Sequence, residues 1–235
     1  MFAISPYEVD VPMRCWPWMN WVLIALTLVF YPLCHWNGQF TPFGEKLVLG
    51  TGEFGWLGHV FVHADLGHLL GNMWFLWLFG NAVCAKVGNL VYLLIYLMLG
   101  LTSGVVAYTI DPRPAVGASG AINGVVGMFV VWYPLNNIHC WYSYGVSFYA
   151  AETGEFSISS YWMILLWAAF DIWGLRSVSN VGHAAHLAGV VAGFTLAVLL
   201  LKLRWIEMDR GERSLLQVIF GNGESAEQAD AADSR

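Results

Sequence analysis

Apolar positions in this chain collect into long uninterrupted runs, separated by short stretches rich in Gly, Pro and charge. Six runs approach the roughly 20 residues that a helix needs to cross a hydrocarbon core: residues 17–36, 68–87, 90–110, 116–135, 159–175 and 183–203. Ten-residue units of alternating polar and apolar character, the mark of an outer-membrane barrel, do not occur. The pattern predicts an all-α, polytopic membrane protein built as a bundle of six transmembrane helices.

Between the runs the chain divides unevenly. Residues 1–16 form an N-terminal segment, residues 17–204 the membrane-embedded body, and residues 205–235 a tail whose end, GNGESAEQADAADSR, has the composition of a disordered segment. The first run has neither a cationic leader nor a small-residue cleavage site, so it reads as a retained span. The loop 37–67 mixes many glycines with Phe40, Phe43, Phe54, Trp56 and Phe61, too apolar for a solvated linker. It reads as a loop embedded in the interface, tolerable only where its backbone groups find partners. Residues 136–157 read as a shorter segment of the same kind.

Composition sharpens this picture. Hydrophobic residues make up 58% of the chain and charged residues 11%, against about 25% charged in an ordinary soluble domain; a water-soluble globular protein is excluded. The formal net charge is -6 and no cationic stretch exists that could neutralise a run of phosphates, which argues against nucleic-acid partners. Cys15, Cys34, Cys84 and Cys140 form no CxxC pair and read as small hydrophobes. With six spans both termini share a side. Arg14, Lys86, Lys202, Arg204, Arg210, Arg213 and Arg235 fall there, against Lys46, Arg113 and Arg176 opposite, so both ends are expected in the cytoplasm. No transit peptide or organelle address is seen, and a bacterial inner membrane is the default.

A strongly polar side chain inside a bilayer costs about 2.5 to 3.5 kcal/mol on insertion scales, so it is a functional candidate. Here such residues cluster at span ends. His68 and Asn72 open the second span, with His63 just before it; Ser119 and Asn123 open the fourth; Asp171 closes the fifth; His183 and His186 open the sixth. In the expected topology the heads of spans two, four and six lie on one side of the membrane, at similar depth.

Ser119 stands in PAVGASGAING, flanked by Gly117 and Gly120, and a Ser at a helix start has free backbone N–H groups beside it, half of an oxyanion hole. For this tetrapeptide alone, small-residue helix packing is the commoner explanation. The sixth run changes the weighing: Gly189 and Gly193 can pack against Gly120 and Gly124, which would bring the imidazole of His186 and the hydroxyl of Ser119 within reach. No acid is evident near them, Asp171 lying beyond a span end and a loop, so the pattern predicts a Ser-His dyad. His68 and Asn72 are four apart and share a helix face; they read either as helix-helix glue or as oxyanion donors. His63 reads as a loop anchor, and His183 as an interfacial polar residue that could share the dyad's face.

Taken together, HADLGHLLGN, GASG and AHLAGVVAG, in this order at the heads of the second, fourth and sixth spans, resemble the rhomboid family of intramembrane serine proteases over about residues 63–193. The resemblance implies a rhomboid-like bundle in which Ser119 is the nucleophile and His186 the general base. His68, Asn72 and the Ser119 N–H would bind the oxyanion, with Gly117, Gly120 and His183 supporting, and with no metal or cofactor. It implies single-span membrane proteins as substrates, cut at small residues, in a site that opens to water from the outer face. Three departures stand out: Cys84 where many relatives carry an acid, no Arg between His35 and Asp65, and Asn123 where an aromatic often stacks beneath the imidazole.

Other classes explain less. A transporter would use the buried His, Asn and Asp as a path, but these gather at one depth and no inverted repeat is visible. A metal or haem protein using His63, His68, His183 and His186 lacks HExxH and an evident supporting acid. A non-catalytic relative that binds membrane helices would not need both Ser119 and His186.

Overall fold

The computed structural model describes residues 2–145, 151–176, 182–209 and 211–221. In chain order its elements are β1 (Phe2–Val9), α1 (Trp18–Cys34), β2 (His35–Trp36), β3 (Gln39–Phe40), α2 (Pro42–Glu45), α3 (Gly55–Gly58), a 3-10 turn (His59–Phe61), α4 (Leu66–Phe75), a π-helical turn (Leu76–Gly80), α5 (Asn81–Val87), α6 (Asn89–Ile110), α7 (Ser119–Trp132), β4 (Asn137–Gly145), β5 (Ala151–Ser159), α8 (Ser160–Gly174), α9 (His183–Lys202) and α10 (Leu215–Phe220). The tail beyond residue 221, expected to be disordered, and much of the connection before α9 lie outside the described residues.

Each of the six apolar runs holds one rod, the second being α4, the π turn and α5 end to end. Of these, Asn89–Ile110 and His183–Lys202 are by length and composition apolar enough to cross a membrane, and Trp18–Cys34 and Ser119–Trp132 are shorter apolar helices. Large apolar side chains such as Val29, Leu94, Leu165, Phe170 and Val191 stay exposed on several sides of the bundle. In water such a belt is a liability, whereas in lipid it is the outer wall.

Buried backbone groups need internal partners, and the second rod shows how they find them. Its wide turn frees the Leu76 carbonyl, which accepts from Asn20 Nδ2 at 2.9 Å; the same amide donates to Asn81 Oδ1 at 2.9 Å, and Tyr92 donates its hydroxyl to Asn20 Oδ1 at 2.8 Å. Asn20 and Tyr92 are fully buried. Gly80 leaves room for this group, since a β-carbon there would collide with Asn20 Oδ1.

The expectation of an all-helical chain is corrected at one end of the bundle. The segment 136–157, read as an embedded loop, contributes strands β4 and β5, which pair with each other and with the N-terminal segment in an antiparallel sheet of order β1-β4-β5, with Ile4 opposite Tyr142 and Cys140 opposite Phe156. Alternation in IHCWYSYG carries it: Ile138 and Cys140 are buried and pack on the core while Trp141 is exposed. Pro6 sits in an edge strand, where a missing donor is tolerated, and its carbonyl accepts from Trp74 Nε1 at 2.7 Å.

Residues 37–67 pack against the bundle. A two-strand hairpin, short helical turns and buried Leu47, Val48, Leu49, Val60 and Val62 hold them there, and Leu49 bridges to Ala115 in the segment leading to α7. At the opposite end of the rods lies a charged cluster. Arg14 donates through Nε to both oxygens of Asp209 (2.8 and 2.9 Å), and Lys86, its side chain fully buried, reaches Asp209 at 3.0 Å and Glu212 at 3.1 Å. The Arg14 hydrogen bonds, helped by Lys86, hold the Asp209 carboxyl down at about 2. This cluster fastens the chain before α1 to the chain after α9, so both ends of the polypeptide leave the bundle on one side. Cys34, Cys84 and Cys140 are buried thiols as expected, whereas Cys15 is exposed.

Candidate active site

Among the described helices the most extensive contact is that of α7 with α9, and its closeness is a matter of glycine. β-Carbons at Gly189 and Gly193 would collide with the carbonyl oxygens of Gly120 and Gly124, and one at Gly127 with the carbonyl of Val190. Backbone therefore meets backbone along the small faces that the sequence pairs. Ser119 is the first residue of α7, and His186 lies in the first turn of α9. Gly120, next to the serine, also faces Ser103 of α6 and lies near the Ala185 carbonyl, beside His186. The two heads are thus in register.

The approach to Ser119 is set by Gly117, whose φ of +125° suits glycine. Its N–H donates to the His59 carbonyl at 2.9 Å. A β-carbon there would lie 2.8 Å from Cε1 and 3.1 Å from Nε2 of His68, so the His68 ring rests directly on the turn that presents the serine. His63 is fully buried behind it, its ring edge-on to His68 with centroids 5.1 Å apart, and its Nε2 accepts from the Ala118 N–H at 3.5 Å. That is the anchoring part expected of His63.

Asn72 is buried one turn below His68, and one of its amide hydrogens bonds the His68 carbonyl at 2.8 Å. One donor is therefore spent on its own helix, leaving the second. Asn123 behaves alike: its amide bonds the Ser119 carbonyl at 2.9 Å. Among the described residues, no hydrogen bond joins the Ser119 hydroxyl to His186 in this conformation. Catalytic pairs are often loose before substrate binds.

The reading that no acid lies near His186 is overturned. Asp171 Oδ1 is 3.0 Å from His186 Nδ1 and 2.7 Å from His183 Nδ1. The reason is geometric: α8 and α9 are packed neighbours joined by a short connection, so the last turn of α8 stands beside the first turn of α9. Sequence distance hides this, since the carboxylate lies 12 and 15 residues from its partners. The three side chains are 14 to 18% exposed, sheltered yet within reach of solvent. Their ligand atoms lie within 4.8 Å of one another, close enough to hold a cation, although hydrogen bonds to one carboxylate oxygen account for the arrangement as it stands.

A cavity of about 230 Å³ opens beside this cluster between α4, α7 and α8, lined by Phe75, Ile122, Asn123, Val126, Trp167 and Asp171 among others. Its walls are apolar and its polar edge is formed by Asn123 and Asp171. Such a shape suits a small or apolar side chain approaching the α7 head from between the rods.

Comparison with known proteins places the chain in a family. The Rhomboid domain model matches residues 52–203. The chain is 29% identical over 194 residues to Rhomboid protease GluP of Bacillus subtilis, covering 78% of this chain and 35% of GluP. It is 32% identical over 155 residues to Rhomboid-like protein 11, chloroplastic, of Arabidopsis thaliana, covering 64% of this chain and 53% of that protein. It is 28% identical over 197 residues to Putative rhomboid protease YdcA of Bacillus subtilis, covering 79% of this chain and 89% of that protein. The chain thus spans about a third of GluP and about half of the Arabidopsis relative. Since the matched region contains the heads of α4, α7 and α9 together, the chain belongs to the rhomboid family of polytopic helical integral membrane proteins.

Proposed function

We propose that this protein is an intramembrane serine endopeptidase that cleaves the transmembrane segments of single-span membrane proteins. Ser119 attacks the scissile carbonyl and passes its proton to His186. The Ser119 N–H, His68 and the free amide donor of Asn72 steady the oxyanion, and water resolves the acyl-enzyme. No metal or cofactor takes part in this scheme. The observation that supports the reading is the backbone contact of α7, which begins at Ser119, with α9, which begins at His183, together with the His68 ring resting on Gly117. The names of GluP and YdcA as rhomboid proteases support hydrolysis of peptide bonds.

In this reading the six rods are six spans, residues 17–204 are the protease body, and residues 1–16 and 205–235 are cytoplasmic. The site opens to the outer side, and the membrane is the bacterial inner membrane. From His68 to Lys86 the second rod rises about 27 Å at 1.5 Å per residue, close to the roughly 30 Å of a hydrocarbon core. That length supports the His cluster and the Lys86 cluster lying at opposite faces. Substrate enters beside the cavity between α4 and α8, and small residues at the cut let its helix unwind. Liposomes holding the full chain and a panel of single-span proteins test this: cleavage by wild type and none by Ser119→Ala supports it, and cleavage that survives Ser119→Ala contradicts it.

A further inference from the structure

We infer that Asp171 is the positioning residue of His186, its carboxylate fixing the proton on Nδ1 so that Nε2 is the basic nitrogen. This rests on the proposed function of the Ser119 site and adds a third member to it.

An ionised Asp only accepts hydrogen bonds, so the nitrogens at 2.7 and 3.0 Å from Oδ1 both carry protons. In a neutral imidazole that leaves the lone pair on Nε2. The hydrogen bond thereby selects the tautomer a general base needs, without touching substrate. When His186 takes the Ser119 proton on Nε2, the ring carries protons on both nitrogens and a positive charge. Asp171 stays ionised and stabilises that cation, and the proton passes on to the leaving amine.

Position in the fold supports this role. A carboxylate near the end of a span is costly unless partnered, and Asp171 finds its partners in the first turn of α9, where His186 is. The side chains are too sheltered for the pair to be screened as a surface ion pair is. Asn123, on the α7 side, is turned to its own helix and does not hold the ring. The titratable groups around His186 are Asp171 from α8, His183 on its own helix, and His68 from α4, within electrostatic range, with Asp65 and His63 beside His68. Asp171 is the anion that touches the ring. Without it the imidazolium formed in the reaction would have no anion touching it and would stand near two further imidazoles.

The test measures labelling of the full chain in detergent by a fluorophosphonate probe from pH 5 to 9, for wild type, Asp171→Asn and Asp171→Glu, with melting temperature followed in parallel. In Asp171→Asn the maximal labelling rate should fall about 10- to 100-fold, less than the loss when a fully buried triad Asp is neutralised. The probe concentration for half-maximal rate should stay unchanged, and the acid limb of the profile should move down by about one pH unit. Asp171→Glu should restore most of the rate. An Asp171→Asn protein with the wild-type rate and limb overturns the inference. So does one with lower melting temperature and rate but an unmoved limb, since Asp171 would then merely staple α8 to α9. If folded wild type is not labelled at Ser119 at all, the underlying reading of the site falls, and this inference with it.

Discussion

Gly193 lies so close to the carbonyl of Gly124 that no side chain fits between them. With Gly189 and Gly127 it sets the spacing of α7 and α9, the helices that carry Ser119 and His186. Gly193→Val must push the helices apart, and overpacking of this kind costs about 1 to 3 kcal/mol or more. The expected result is a lower melting temperature in detergent with loss of fluorophosphonate labelling; an unchanged melt and full labelling would contradict the packing described.

Gly117 should separate chemistry from stability. Alanine there meets both a φ of +125° and the His68 ring at 2.8 Å. The backbone cost is about 1 to 3 kcal/mol, but the imidazole must also leave the turn before Ser119. Gly117→Ala is expected to lower the turnover of a single-span reporter at least tenfold while most of the protein still folds. Retained turnover would show that His68 need not rest where it does.

Much of this was legible in the chain. The spacing of Gly120 with Gly124 and of Gly189 with Gly193 announced the helix contact, and polar residues at three span heads marked where to look. Asp171 was not legible as a partner, because how the last turn of α8 meets the first turn of α9 is a matter of tertiary packing that no periodicity encodes. The sheet was missed for another reason: Trp141, Tyr142 and Tyr144 make a strand look like an interfacial loop, and its partner β1 lies over a hundred residues away. Nor does any residue pattern disclose the π-helical turn, which becomes intelligible only once Asn20 is seen to satisfy the Leu76 carbonyl.

That turn yields a stability prediction. Asn20→Leu strips partners from Leu76 O, Asn81 and Tyr92 together, and a buried group left unsatisfied costs about 1 to 3 kcal/mol. The variant is expected to melt earlier by an amount consistent with this, whereas Asn81→Ala, which leaves the Leu76 and Tyr92 bonds intact, should lose less. Equal melting of Asn20→Leu and wild type would mean that the turn does not need its partner.

The charged clasp at the other end predicts a pH dependence. Asp209 is held at about 2, below its ordinary 3.8, so its pairs with Arg14 and Lys86 contribute fully above about pH 4 and fade as the pH falls through 2. The difference in melting temperature between wild type and Asp209→Asn should therefore be steady from pH 7 to about pH 4 and shrink below it. A difference that persists unchanged at pH 2 would contradict the ion pairs.

Mapping of the fluorophosphonate adduct by peptide mass spectrometry shows whether His186 activates the hydroxyl of Ser119. The adduct is expected on Ser119 of the wild-type chain and on no residue of folded His186→Ala. An adduct on another residue, or undiminished modification of Ser119 in His186→Ala, would contradict that role.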